Sequence, residues 1–210
     1  MSCILSESGK TAAFPREAET LRRAVSEVIN ADYEIRMAEP NFPPASSATW
    51  YIFAPDVGQL SKTAPARKMW EDGEGNLYIE SIFLGNTTDW IGHHYGEESA
   101  IQATRMDFRD FSTVRKELAS RFPLFDEDLR EYEGMLADVS QKYGVELRMR
   151  YDSGKGVAIL YMNAKIKTKG LDLQAKIEKV RLNVRALQEA LGRIHQYEAG
   201  RSQQKMRRRR

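Results

Sequence analysis

Cysteine is almost missing from this 210-residue chain, in which Cys3 stands alone. A single thiol excludes an intramolecular disulfide framework and any all-cysteine zinc site, and it fits a reducing cytoplasm, the expected location. Histidine is nearly as scarce, with three residues. Long apolar runs are also lacking: Gly156–Ala164 falls far short of the ~20 residues a membrane-crossing helix needs. The opening M-S-C-I-L-S-E-S-G-K has neither the basic nor the apolar region of a signal peptide. No G-x-x-x-x-G-K-[ST] phosphate loop and no G-x-S-x-G nucleophile elbow occur. The expectation is a protein without a catalytic site, cofactor or membrane span.

What is present is enough to build a core, since 41% of the residues are hydrophobic and 10% aromatic. The length fits one domain of roughly 100–200 residues plus an extension. Residues 1–13 read as a flexible head, 14–198 as a single α+β domain and 199–210 as a basic disordered tail. The net charge of +2 conceals a polarity. Residues 144–210 carry 17 Lys+Arg against 6 Asp+Glu, or +11, which leaves 15 against 24, or −9, in residues 1–143. Such a split creates a field that a partner can read.

Periodicity supplies the elements. Pro15 opens a helix whose Ala18, Leu21, Ala24, Val25, Val28 and Ile29 form an apolar stripe. Trp50–Phe53, Lys68–Glu71 and Leu77–Leu84 read as strands, the last two joined by the turn D-G-E-G-N. Ile101–Phe108 is a further candidate strand. Ser112 and Asp126 are candidate caps for two middle helices, with Leu129, Tyr132, Leu136 and Val139 on the buried side of the second and Gly144 ending it. Val145, Leu147, Met149 and Tyr151 alternate with Glu146, Arg148, Arg150 and Asp152, the pattern of a half-buried strand. Val157–Met162, apolar on both faces, reads as an interior strand. The expected fold is thus α+β: an antiparallel sheet of about five strands packed by an N-terminal helix, a middle helical segment and a long C-terminal amphipathic helix.

In that last helix Leu173, Ile177, Val180, Val184, Leu187, Leu191 and Ile194 are spaced 4, 3, 4, 3, 4, 3. The seam admits two readings, a helix docked on its own sheet and a helix that joins a second copy. The flanking Arg181, Asn183, Gln188, Ala190 and His195 are not an opposite-charge set, which weighs against an extended coiled coil.

Three stretches could carry chemistry. D-W-I-G-H-H-Y-G-E-E-S gathers His93, His94, Glu97 and Glu98, but adjacent histidines diverge in strand or helix, unlike the H-E-x-x-H spacing of a zinc helix. It reads as a polar loop with Trp90 and Tyr95 as contact area, and a metal-dependent enzyme there is the distant alternative. Asp72, Glu74 and Asn76 mimic the start of a calcium loop, yet Leu77 and Phe83 occupy its glycine and glutamate positions. The basic end is the clearest functional signal. Arg148 and Arg150 share one face, Lys165, Lys167 and Lys169 another alternating set, and Arg201, Lys205, Arg207, Arg208, Arg209 and Arg210 form a cationic tail. The function expected of such a set is binding of nucleic acid or another polyanion through counterion release, without reading sequence.

Read in order, the matching pieces are Pro15–Asn30, Ala48–Leu84, Ser112–Tyr143, Val145–Met162 and Leu171–Tyr197: a helix, three strands, a helical stretch, a two-stranded hairpin and a long final helix. That order resembles the type III secretion chaperone-like fold. The resemblance implies a dimer that holds a partner polypeptide and does no catalysis. The basic tail and the two middle helices depart from it. The leading expectation is therefore a non-enzymatic protein-binding adaptor or chaperone-like module that associates with a protein client or a second copy of itself. Polyanion binding is the alternative.

Overall fold

Strand alternation, helical stripes and turn residues account for most of the computed structural model, which describes residues 16–29, 34–37, 49–53, 68–72, 74–106, 110–154 and 157–208. Its elements are α1 (Arg16–Ile29), β1 (Glu34–Met37), β2 (Thr49–Phe53), β3 (Lys68–Glu71), β4 (Asn76–Asn86), α2 (Thr87–Tyr95), α3 (Glu97–Ala103), α4 (Phe111–Arg121), α5 (Pro123–Tyr143), β5 (Glu146–Gly154), β6 (Val157–Lys167) and α6 (Leu173–Arg208). The class is α+β with an antiparallel sheet, in the order β1-β2-β3-β4-β6-β5. Three long strands, β4, β6 and β5, make its body. Three short ones extend one edge. The count differs from the expected five because E-I-R-M pairs with β2 as β1, a run too short to display a period. Ile101–Phe108, expected as a strand, instead overlaps α3.

Register decides which side of the sheet is apolar. Leu77 lies opposite Ile166, Ile79 opposite Ala164 and Leu147 opposite Ala164 from the other side. These residues are buried in one core with the helices, and α6 packs on both β6 and β4. The opposite face carries Tyr78, Glu80, Asn163, Lys165, Arg148 and Arg150, because side chains alternate along each strand. β6 is an interior strand, as its composition implies.

The β3–β4 hairpin is held by Asp72. Its carboxylate accepts from the backbone N–H of Glu74 (2.9 Å) and Asn76 (2.8 Å), from Asn76 Nδ2 (2.8 Å) and from the Tyr78 hydroxyl (3.0 Å). Burial raises the Asp72 pKa, but these donors outweigh it and hold the group at about 2. The calcium-like spacing of D-G-E-G-N thus serves a turn. The same turn grips the end of β6, where the Thr168 N–H and hydroxyl both donate to the Gly75 carbonyl.

The middle of the chain departs most from its sequence reading. D-W-I-G-H-H-Y-G-E-E-S is two helices, not a loop. Gly92 sits within α2 because a Cβ there would lie 3.1 Å from the Ala100 Cβ, so its bareness lets α3 approach. Gly96 makes the bend between them at φ 96, ψ 169, a conformation that only glycine adopts readily. Asp126 does not cap α5. That helix starts at Pro123, whose missing N–H costs nothing in the first turn, and Asp126 instead pairs with Arg115 and Arg130. Gly144 ends α5 with φ 62, as expected.

α6 settles the seam. Val180, Val184, Leu187, Leu191 and Ile194 are buried in the core, and Ile177 packs against it. Only Leu173, 41% exposed, faces outward. α6 meets α1, α5, β4 and β6 of its own chain, so the self-association seam is corrected to an internal packing stripe. Each buried Val, Leu or Ile stabilises by roughly 1.5–3 kcal/mol. Exposing five for a partner would cost an amount comparable with the whole stability of a typical domain, about 5–15 kcal/mol. The helix also runs on to Arg208, through most of the segment expected as a disordered tail. The expected head, residues 1–13, and Arg209 and Arg210 lie outside the described residues. No helix among the described residues is long and apolar enough to cross a membrane.

Candidate binding surface

The histidine stretch is structural on its inner side. Trp90 is buried edge-on against Phe125, with ring centroids 5.0 Å apart, and is not an exposed contact residue. His94 stacks on the Trp90 indole at 4.0 Å, while the His93 ring is nearly perpendicular to that of His94. The Tyr95 hydroxyl accepts from the Leu124 backbone N–H at 2.8 Å, near the start of α5. His93, Glu97 and Glu98 are exposed. Among the described residues, no three His, Cys, Asp or Glu side chains come together as metal ligands, with or without His195.

A half-buried polar link joins α5 to α6. The Tyr132 hydroxyl donates to Glu198 Oε1 at 3.0 Å, and Tyr197 donates to Asp128 Oδ1 at 2.9 Å. Burial, followed by the Glu198 charge, pushes the Tyr132 hydroxyl well above the ordinary tyrosine range. Arg201 pairs with Asp128 and with Glu127 and lies over the Tyr197 ring. One of the expected tail cations is thereby used in internal structure, because α6 continues far enough to bring it beside the acidic start of α5.

The other cations divide into paired and unpaired. Arg148 pairs with Glu146, two residues away on the same face. Arg150 Nη1 is 3.6 Å from the carboxylate of Glu80, which is 3% exposed. Lys165 lies 5.8 Å from the Tyr78 ring centroid. Lys167 and Lys169 are exposed and make no ion pair among the described residues, and the same holds for Lys179 on α6. Lys205, Arg207 and Arg208 belong to the last turns of α6. Lys179 and Lys205 are 26 residues apart, and at 1.5 Å per helical residue that separates them by about 39 Å. The basic third is therefore two groups at opposite ends of one helix, not one surface.

The first group borders a cleft of about 350 Å³, within the roughly 300–1,000 Å³ of ligand-sized sites. Gly144–Glu146 form one wall, Lys165–Lys167 the floor and Lys179, Leu182 and Asn183 the other wall. It exists because β6 outruns its neighbour. β5 begins at Glu146, opposite Lys165, so Ile166 and Lys167 have partners in β4 but none in β5. Successive strand residues point their backbone groups to opposite edges. Since the Thr168 N–H reaches Gly75 on the β4 side, Lys167 turns its N–H and C=O to the cleft side. Above it, Asn183 is 4% exposed. Its Nδ2 donates to the Lys179 carbonyl at 2.8 Å, and its buried Oδ1 has no hydrogen-bond partner among the described residues. Leu182, 38% exposed, adds an apolar rim.

Sequence reasoning found Lys165 and Lys167 but missed Asn183, Leu182 and Lys179. Asn183 appeared only as a flanking position of the seam. A polar residue beside an otherwise apolar helical stripe was the one available signal. No family model, curated protein or solved structure matches this chain.

Proposed function

We propose that this chain is a non-enzymatic protein-binding module of the adaptor or chaperone kind. The observation that supports the reading is the cleft beside β6. There, among the described residues, the Lys167 edge of β6 has no strand neighbour, and an exposed leucine lies next to it. Main-chain pairing with an open strand edge, plus side-chain pockets alongside, is a recurrent way to hold an extended polypeptide. The type III secretion chaperone-like resemblance, read from the order of elements in the sequence, favours the same reading, although four strands precede the helical stretch where that order has three. Self-association belongs to the proposal too, through surfaces that leave the α6 stripe in its core. The test is selection of a random peptide library on the full-length protein, with nuclease present. Saturable, nuclease-resistant enrichment is expected. No enrichment, together with tight RNA binding, would replace the reading with the polyanion one.

Polyanion binding keeps a specific observation in its favour, the exposed Lys167, Lys169 and Lys179, which make no ion pair among the described residues. Three cations give a shallow salt dependence, with a slope of about −2 to −3 in log K against log salt. All eleven candidate cations acting together would give about −8 to −10. The ion pairs of Arg148, Arg150 and Arg201 take three of those cations out of play, which lowers that figure to about −6 to −7.

A further inference from the structure

We infer that the cleft between β6 and α6 takes an acidic, extended polypeptide segment carrying an apolar side chain. The inference rests on the protein-binding reading and adds the chemistry of the partner. Two independent features define the occupant. First, the Lys167 backbone faces the cleft where, among the described residues, no strand pairs with it. A peptide backbone supplies the matching donor and acceptor at strand spacing, which a nucleic-acid backbone, with no N–H donors of its own, does not. Second, Lys167 and Lys179 flank the cleft with ammonium groups that make no ion pair among the described residues. Among the described residues that line it the one carboxylate is Glu146, which pairs with Arg148. The local field therefore favours acidic side chains, and Leu182 offers contact to an apolar one. The cleft's volume suits a short segment, not a folded domain.

Fluorescence anisotropy on the full-length protein at low salt tests this with defined probes. These are a labelled eight-residue peptide of Asp and Glu around a central Leu, its Lys-for-acid counterpart, and poly-uridylate RNA. Saturable binding of the acidic peptide is expected, at least tenfold tighter than the basic one. The double substitution Lys167→Glu with Lys179→Glu should weaken it at least tenfold. Peptides that bind without charge preference, or with no response to the lysine substitutions, would overturn the cleft assignment and leave the protein-binding reading standing. If no peptide binds and poly-uridylate does, both fall.

Discussion

Single residues here earn their places by satisfying neighbours. Glu189 accepts from Lys142 (2.6 Å), Tyr143 (2.8 Å) and Arg193 (2.6 Å), tying α5 to α6. Lys142 and then Tyr143, with a smaller opposing effect of burial and further help from Arg193, hold its carboxyl at about 2, below the ordinary 4.5. A carboxyl depressed in the folded state adds stability above its unfolded value, and that stability is lost as the pH falls through the folded one. Glu189→Gln should therefore lower the urea midpoint by a constant amount above pH 4.5, and the deficit should close as the pH approaches 2. A deficit independent of pH would show that charge at Glu189 is immaterial. Gly96 is a second such residue. Nothing lies within 4 Å of where its Cβ would stand, so Gly96→Ala isolates the backbone cost. It should destabilise by about 1–3 kcal/mol, read from the denaturant midpoint, and an unchanged midpoint would mean that the α2–α3 bend relaxes freely.

At the scale of elements, period was a good guide where it was long and a poor one where packing overrode it. The alternation of β5 and the stripe of α5 were legible because a half-buried strand and a half-buried helix repeat their environment at fixed intervals. The His93–His94 segment was not. Its glycines weigh against helix in isolation, yet Gly92 is what admits Ala100, and no local rule carries the position of a neighbour 8 residues on. The heptad of α6 was seen in full, but a 4, 3 spacing fits an internal core and an intermolecular seam equally well. Two substitutions on that helix separate these cases. Val184→Asp places an unpaired charge in the core and should unfold or severely destabilise the chain, by more than about 3 kcal/mol. Leu182→Asp, on the rim of the cleft, should alter stability by no more than about 0.5 kcal/mol. Circular dichroism melts decide it. A Val184→Asp protein that stays folded but loses a dimer by light scattering would restore the seam to the surface.

For the molecule as a whole, the charge polarity of +11 against −9 was plain in the sequence, but its arrangement was not. The fold consumes Arg148, Arg150 and Arg201 in ion pairs and sets Lys205, Arg207 and Arg208 at the far end of a 36-residue helix. Measured on the full chain, RNA affinity should show a slope far below the eleven-cation value, and Lys167→Glu with Lys179→Glu should flatten it further by about 1.4–1.8. A slope near −10 that ignores those two lysines would place the polyanion surface elsewhere. By itself the sequence determined the α+β class, the paired hairpins, the amphipathic stripes and the sign of the charge at each end, since these follow from local periodicity and composition. Tertiary structure alone decided that the seam faces inward, that the histidine stretch is two packed helices, and that β6 ends beside a cleft bordered by Lys179 and Asn183 of α6. Those outcomes depend on which distant residues meet, and strand length, register and helix docking are settled only when the core closes.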